Sequence, residues 1–219
     1  MYIQLEGQIL YYERTGEAGE NLILLHGNGE DHTIFDELIK AVSDHYCVYA
    51  IDSRGQGLSA TPSEYHYADM ADDLIRFVDA LRIDSPTVLG FSDGAIVALI
   101  AAASHPGTFK RIIACGANSS FQALTMSARS EIKRQYKKDG SPLTGMMLKE
   151  PDLFKENLSA IDCPVHLIMG QHDMVKEKDV RKIAQAIPDS QVTVLPKEDH
   201  MSYVIHSDKL GRFLLSQGE

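Results

Sequence analysis

The sequence has 219 residues, 44% hydrophobic and 24% charged, enough chain for one globular domain with a sizeable core. Its 21 basic and 31 acidic side chains leave a formal charge of −10, which argues against nucleic acid or an anionic membrane as partner. Three cysteines, Cys47, Cys115 and Cys163, cannot pair without a remainder and are read as small apolar core residues. No basic and apolar leader opens the chain and no run reaches the length of a membrane span, so a cytoplasmic protein is expected.

Tyr2–Leu5 and Gln8–Arg14 alternate in polarity about Glu6-Gly7 and predict a hairpin. Asn21–Leu25 is a fully apolar run, the pattern of a buried strand, and it ends in His26-Gly27-Asn28-Gly29. Helical spacing of Phe35, Leu38, Ile39 and Val42 predicts a helix over Thr33–Ser43, then Tyr46–Ile51 reads as a strand closed by Asp52-Ser53-Arg54-Gly55-Gln56-Gly57. Met70, Leu74, Phe77, Val78 and Leu81 make one stripe of a helix over Tyr67–Leu81. A short apolar run then stops at Gly90-Phe91-Ser92-Asp93-Gly94, and an alanine-rich run begins at once, predicting strand, corner and helix.

Strands are expected over Lys110–Cys115, Cys163–Met169 and Gln191–Leu195, with helices over Lys176–Ile187 and Ser202–Leu215. Residues 116–162 form a polar, amphipathic insertion. Phe121, Leu124, Ala128, Ile132 and Tyr136 trace a helical face stopping at Asp139-Gly140, Ser141-Pro142 reads as a cap with proline at the first helical position, and Pro151 starts or breaks a further piece. The basic cluster Arg129, Lys133, Arg134, Lys137 and Lys138 reads as a solvated helix face, with an anion site as the alternative. This alternation predicts an open, mostly parallel sheet of about eight strands with helices on both faces, whose ligands bind at the carboxyl ends of the strands.

Reactive side chains collect at those ends. Ser92, Asp173 and His200 each follow a different strand, in the order that suits a nucleophile, an orienting acid and a base. A serine hydroxyl needs a base to take its proton as it attacks; His200 would be that base and Asp173 would fix its tautomer. Rival readings stand beside this one. The Gly-x-Ser-x-Gly stretch can be a tight turn without chemistry, Asp173 can cap the helix after it, and His172 or His206 can be the base. The glycines around Asn28 allow a turn that aims N–H groups inward, so the backbone N–H groups of Asn28 and Asp93 are candidate donors to an oxyanion.

Together His26-Gly27-Asn28-Gly29, Asp52 to Ser59, Gly90 to Gly94, Gly170-Gln171-His172-Asp173 and Asp199-His200 resemble the motifs of the α/β-hydrolase superfamily, over essentially the whole chain. The resemblance implies that fold as a single domain over 1–219 with 116–162 as a small lid, a serine hydrolase mechanism and no cofactor. It also implies that Asp52 and Arg54 brace loops rather than react. Ser92-Asp93-Gly94 is similar to the valacyclovir-hydrolase branch, which implies an amine-binding role for the Asp93 carboxylate. The lid is short for the superfamily, so a shallow or open pocket is expected, with Phe91, Met126, Met146, Met147 and Met174 lining it or simply packing the lid. No His-Glu-x-x-His, Cys-x-x-Cys or Gly-x-Gly-x-x-Gly stretch occurs, so no metal or nucleotide is expected. The expected activity is cleavage of a small carboxylic ester; an amide or carbon–carbon bond hydrolase and a small-molecule receptor are the alternatives.

Overall fold

A computed structural model describes residues 1–17 and 19–216. Its eight strands are β1 (Tyr2–Leu5), β2 (Gln8–Thr15), β3 (Glu20–Leu25), β4 (Tyr46–Ile51), β5 (Thr87–Phe91), β6 (Arg111–Cys115), β7 (Val165–Gly170) and β8 (Ser190–Leu195). They form one sheet in the order β1-β2-β4-β3-β5-β6-β7-β8. β1 pairs antiparallel to β2 and β2 to β4; from β4 to β8 every neighbour is parallel. The expected sheet is therefore present, with the apolar runs at its centre.

The period of two in each strand divides those runs between two cores. Ile23, Leu25, Val88 and Ile112 face one layer, built from α2 (Tyr67–Leu81), α3 (Asp93–Ser104) and α6 (Glu177–Ala186). Leu22, Leu24, Leu89 and Ile113 face the other, built from α1 (Asp36–Val42) and α7 (Lys209–Ser216). Burying one such leucine or isoleucine contributes about 1.5–3 kcal/mol relative to exposure. Helix α3 is buried on every side from Asp93 to Ala103, because it lies between the sheet and α2. Its alanines let it sit close, and that closeness places its first turn at the sheet's edge. Cys47, Cys115 and Cys163 are buried and unpaired; burial pushes the Cys163 thiol up to about 11.

Three expected helices begin elsewhere, each for a visible reason. A 3₁₀ turn at His32–Phe35, capped by the Asp31 side chain on the Thr33 N–H at 2.9 Å, precedes α1. In the insertion, the helix predicted from Phe121 is α4 (Met126–Asp139), capped by Thr125. Phe121–Ala123 form a separate 3₁₀ turn and Leu124 and Thr125 are extended, because Thr125 N–H donates to Met174 O at 2.8 Å and Lys176 N–H to Ala123 O at 3.1 Å. At the C-terminus the helix predicted from Ser202 starts only at Lys209. His206 has φ +47°, its N–H donates to Ile34 O at 2.8 Å, and the Tyr203 hydroxyl donates to Ile168 O at 3.2 Å. These long-range bonds stop the helix from continuing backward. The cap at Ser141 is as expected: α5 (Pro142–Lys149) starts on it. No helix among the described residues is long and apolar enough to cross a membrane.

Candidate active site

Ser92 occupies the corner between β5 and α3 with φ +51° and ψ −114°, a conformation that costs a non-glycine residue about 1–3 kcal/mol. The corner is held from both sides. Ser92 N–H donates to Cys115 O at 2.8 Å on the next strand, and Ser92 O accepts from Ala95 and Ile96 in the first turn of α3. The hydroxyl is thereby fixed beyond the carboxyl edge of the sheet.

Asp173 follows β7 and is gripped by backbone. Its Oδ2 accepts from Gly170 N–H at 3.2 Å and its Oδ1 from Val175 N–H at 2.9 Å. It does not cap α6, whose preceding residue is Lys176. His200 follows β8, with Nδ1 2.7 Å from Asp173 Oδ1 and Nε2 3.1 Å from Ser92 Oγ. An unbroken line of hydrogen bonds thus joins three strand ends, and the His200 ring packs on Phe91 with centroids 5.0 Å apart. Neither of the other candidate bases bonds Ser92: His206 binds Asp36 through Nδ1 at 2.8 Å, and His172, next to Asp173, makes no side-chain bond to Ser92 or Asp173.

The loop after β3 carries three consecutive N–H groups, and its neighbours leave one free. Gly27 N–H donates to Glu30 Oε2 at 2.9 Å and Gly29 N–H to Gln56 Oε1 at 2.6 Å. The Asn28 side chain is held separately, its Nδ2 donating to Asp93 Oδ2 at 2.9 Å. Asn28 N–H and Asp93 N–H have no acceptor among the described residues. His26 beneath the loop takes one tautomer, since Nδ1 faces Gly27 O at 2.7 Å and Nε2 accepts from Ser53 N–H at 3.0 Å; burial lowers its pKa, so it stays neutral. Asp52 accepts from His32 N–H and Leu58 N–H, both at 2.8 Å, and Arg54 forks onto Asp73 at 2.7 and 2.8 Å. Both brace loops, as expected. Asp31, His32 and Asp52 bring ligand-type atoms within 4.8 Å of one another, but the Asp31 and Asp52 oxygens already take these hydrogen bonds.

A cavity of about 330 Å³ opens over Ser92 and His200, bounded by Asn28, Phe91, Met147 and Met174. Ile132 and Gln135 of α4, Thr144 of α5 and Met201 complete much of its wall. Three expected lining residues are not there. Met126 starts α4 and is 76% exposed, while Met146 faces the core. The Asp93 carboxylate turns into the protein, where Tyr67 Oη donates to Oδ1 at 2.8 Å and Asn28 to Oδ2, so it is not free to meet a substrate amine. Burial raises its pKa, against the pull of those two donors.

Two acidic wall residues, Glu131 of α4 and Glu30, escaped sequence reasoning; for Glu30, only its place three residues after Gly27 hinted at it. Burial raises its pKa, opposed by the Gly27 N–H and His200 and reinforced by Asp93. The folded state therefore holds this proton more tightly than the unfolded chain does. Its contribution favours folding most at acid pH and falls as pH rises from the ordinary glutamate value, about 4.3, through the raised folded one. Glu30→Gln should remove that fall, so its gain in Tm over wild type should grow between about pH 4 and pH 7. Melting curves across that range check this; a pH-independent difference would contradict it.

A family profile described as alpha/beta hydrolase fold matches residues 20–131. The serine hydrolase BPHL of Mus musculus is 24% identical over 97% of this chain and 84% of its own. A pimeloyl-(acyl-carrier protein) methyl ester esterase of Aliivibrio salmonicida (strain LFI1238) is 26% identical over 96% of this chain and 97% of its own. Among solved structures, the enol-lactonase from Burkholderia xenovorans LB400 superposes with a TM-score of 0.82 at 21% identity, covering 100% of both chains.

Proposed function

Since the chain belongs to the alpha/beta hydrolase fold family, we propose that it is a serine carboxylesterase that cleaves a small ester through an acyl-enzyme. The observation that carries the reading is the hydrogen-bonded line from Ser92 Oγ through His200 to Asp173, together with two nearby N–H groups, of Asn28 and Asp93, that have no acceptor among the described residues. Ser92 Oγ attacks the ester carbonyl as its proton passes to His200 Nε2. The carbonyl oxygen, now negative, accepts from the N–H groups of Asn28 and Asp93, aided by the positive end of α3. As the carbon–oxygen bond to the alcohol breaks, His200 returns the proton to the leaving oxygen. Water, deprotonated by His200, then attacks the acyl-Ser92 ester, and His200 gives that proton to Ser92 Oγ as the bond to the acyl carbon breaks and the acid leaves. Asp173 holds Nδ1–H and balances the charge on the ring throughout.

Relatives described as a serine hydrolase and a methyl ester esterase favour an ester over an amide or a carbon–carbon bond. The cavity's size, at the low end for small-molecule sites, favours a modest acyl group. We read residues 1–219 as one hydrolase domain with 116–162 as its lid; Ala18 and residues 217–219 lie outside the described residues. Three buried, unpaired cysteines fit a reducing cytoplasm.

Fluorophosphonate labelling with mapping of the modified peptide tests the reading, together with turnover of p-nitrophenyl acetate, butyrate and octanoate. Label on Ser92 and fast turnover of the two short esters, falling at octanoate, is the expected result. No label, or label with negligible turnover, would transfer the assignment to a small-molecule receptor.

A further inference from the structure

Asp93 sits at a junction that the esterase mechanism does not by itself require. Its backbone supplies one of the two unclaimed N–H groups, and its carboxylate holds the side chain of Asn28, whose backbone supplies the other. One carboxylate thus fixes the spacing of both donors. That carboxylate is 4% exposed, and its second oxygen has a single side-chain partner, the hydroxyl of Tyr67 at 2.8 Å. Tyr67 is itself 2% exposed and is the first residue of α2. Its N–H donates to Glu150 Oε2 at 3.1 Å, where α5 of the insertion ends. The phenol is therefore held from the backbone side while its hydroxyl is aimed at Asp93.

We infer that Tyr67 is a positioning residue for the oxyanion site, acting through the Asp93 carboxylate on the N–H groups of Asn28 and Asp93. The inference rests on the esterase reading above. Without the hydroxyl, Asp93 Oδ1 is left in a buried site with no donor, and a buried acceptor in that state turns or takes up a proton. Either change loosens the grip on Asn28. Donors to an oxyanion act only when they are already in place as charge develops, so a looser pair lowers kcat rather than substrate binding. Deleting one such donor outright typically costs on the order of 10²–10³ in kcat. Loosening two should cost less.

Tyr67→Phe keeps the ring's volume in the core and removes only the hydroxyl. It should lower kcat for p-nitrophenyl butyrate by about tenfold, with KM within about twofold, and slow fluorophosphonate labelling in parallel. Asn28→Ala, which keeps the N–H but frees it from Asp93, should do the same and does not depend on the core. In an Asp93→Ala background Tyr67→Phe should cost nothing further, since its route is gone. The fall should be equal for butyryl and alanyl p-nitrophenyl esters. A kcat within twofold of wild type in both Tyr67→Phe and Asn28→Ala would overturn the inference. So would multiplying losses in the double variant, or a loss confined to the alanyl ester, which would give Asp93 to a substrate amine. Wild-type protein that neither labels nor turns over would instead strike the esterase reading, and that arm is read separately.

Discussion

His200→Ala should lower kcat for a p-nitrophenyl ester by on the order of 10⁴–10⁶ while leaving the fold intact. The size follows from what the imidazole alone can do. Ser92 Oγ has His200 Nε2 at 3.1 Å, and no other side chain bonds that hydroxyl among the described residues. With the ring gone, the attacking oxygen keeps its proton and is a poor nucleophile, and the leaving alkoxide has no acid. Residual rate would come from the two N–H donors and from binding. The fold tolerates the change because the ring lines a cavity open to water, so its removal enlarges the cavity rather than creating a sealed void. Asp173→Asn should cost about 10⁴, since an amide cannot hold the imidazole in the same tautomer. Steady-state kinetics and the rate of fluorophosphonate labelling measure both. Labelling of His200→Ala at the wild-type rate would remove His200 as the base.

The parts of this molecule that were legible in its sequence are those set by periods or corners. The stripe from Met70 to Leu81 gives α2 to the residue, because one face of that helix packs against α3 and the sheet. The strand ends that carry Ser92, Asp173 and His200 were legible because apolar runs stop abruptly at Gly90, Gly170 and Leu195, and each stop sits at the same edge of one sheet. What escaped was decided by contacts distant in sequence. Phe121 and Leu124 share helical spacing with Ala128, yet residues 123–125 bond to the 174–176 segment after β7. The place of Met126 and Met146 in the insertion suits pocket lining and plain packing alike, and the rotation of α4 and α5 turns one to solvent and the other to the core. The resemblance of Ser92-Asp93-Gly94 implies an amine-binding role for the Asp93 carboxylate, whereas in the fold Tyr67 and Asn28 occupy it. No local pattern announces a partner 26 or 65 residues away.

Gly94→Ala should destabilise the protein by about 3 kcal/mol or more, at the upper end for added bulk in a packed core. A Cβ there would lie 2.2 Å from Leu25 O and 2.6 Å from Leu25 C, well inside contact distance. Both atoms are backbone of β3, so no side chain can swing aside, and α3 must withdraw from the sheet. The better helix propensity of alanine returns only about 1 kcal/mol. For a chain of this length the loss lowers Tm by roughly 6–12 °C. Gly145→Ala in α5 is the contrast, because its Cβ would meet the edge of the Tyr136 ring at 3.1 Å, and a ring on the surface of the insertion can shift. Thermal melts of the two variants should therefore differ widely. The consequence reaches the chemistry, since Leu25 leads directly into the loop that carries Asn28, and α3 begins at Asp93. Withdrawing α3 from β3 parts the two N–H donors from each other and from Ser92, so whatever Gly94→Ala protein remains folded should also show a lower kcat. A variant with wild-type Tm and wild-type kcat would mean that the close approach of α3 to β3 neither supports the fold nor sets the site.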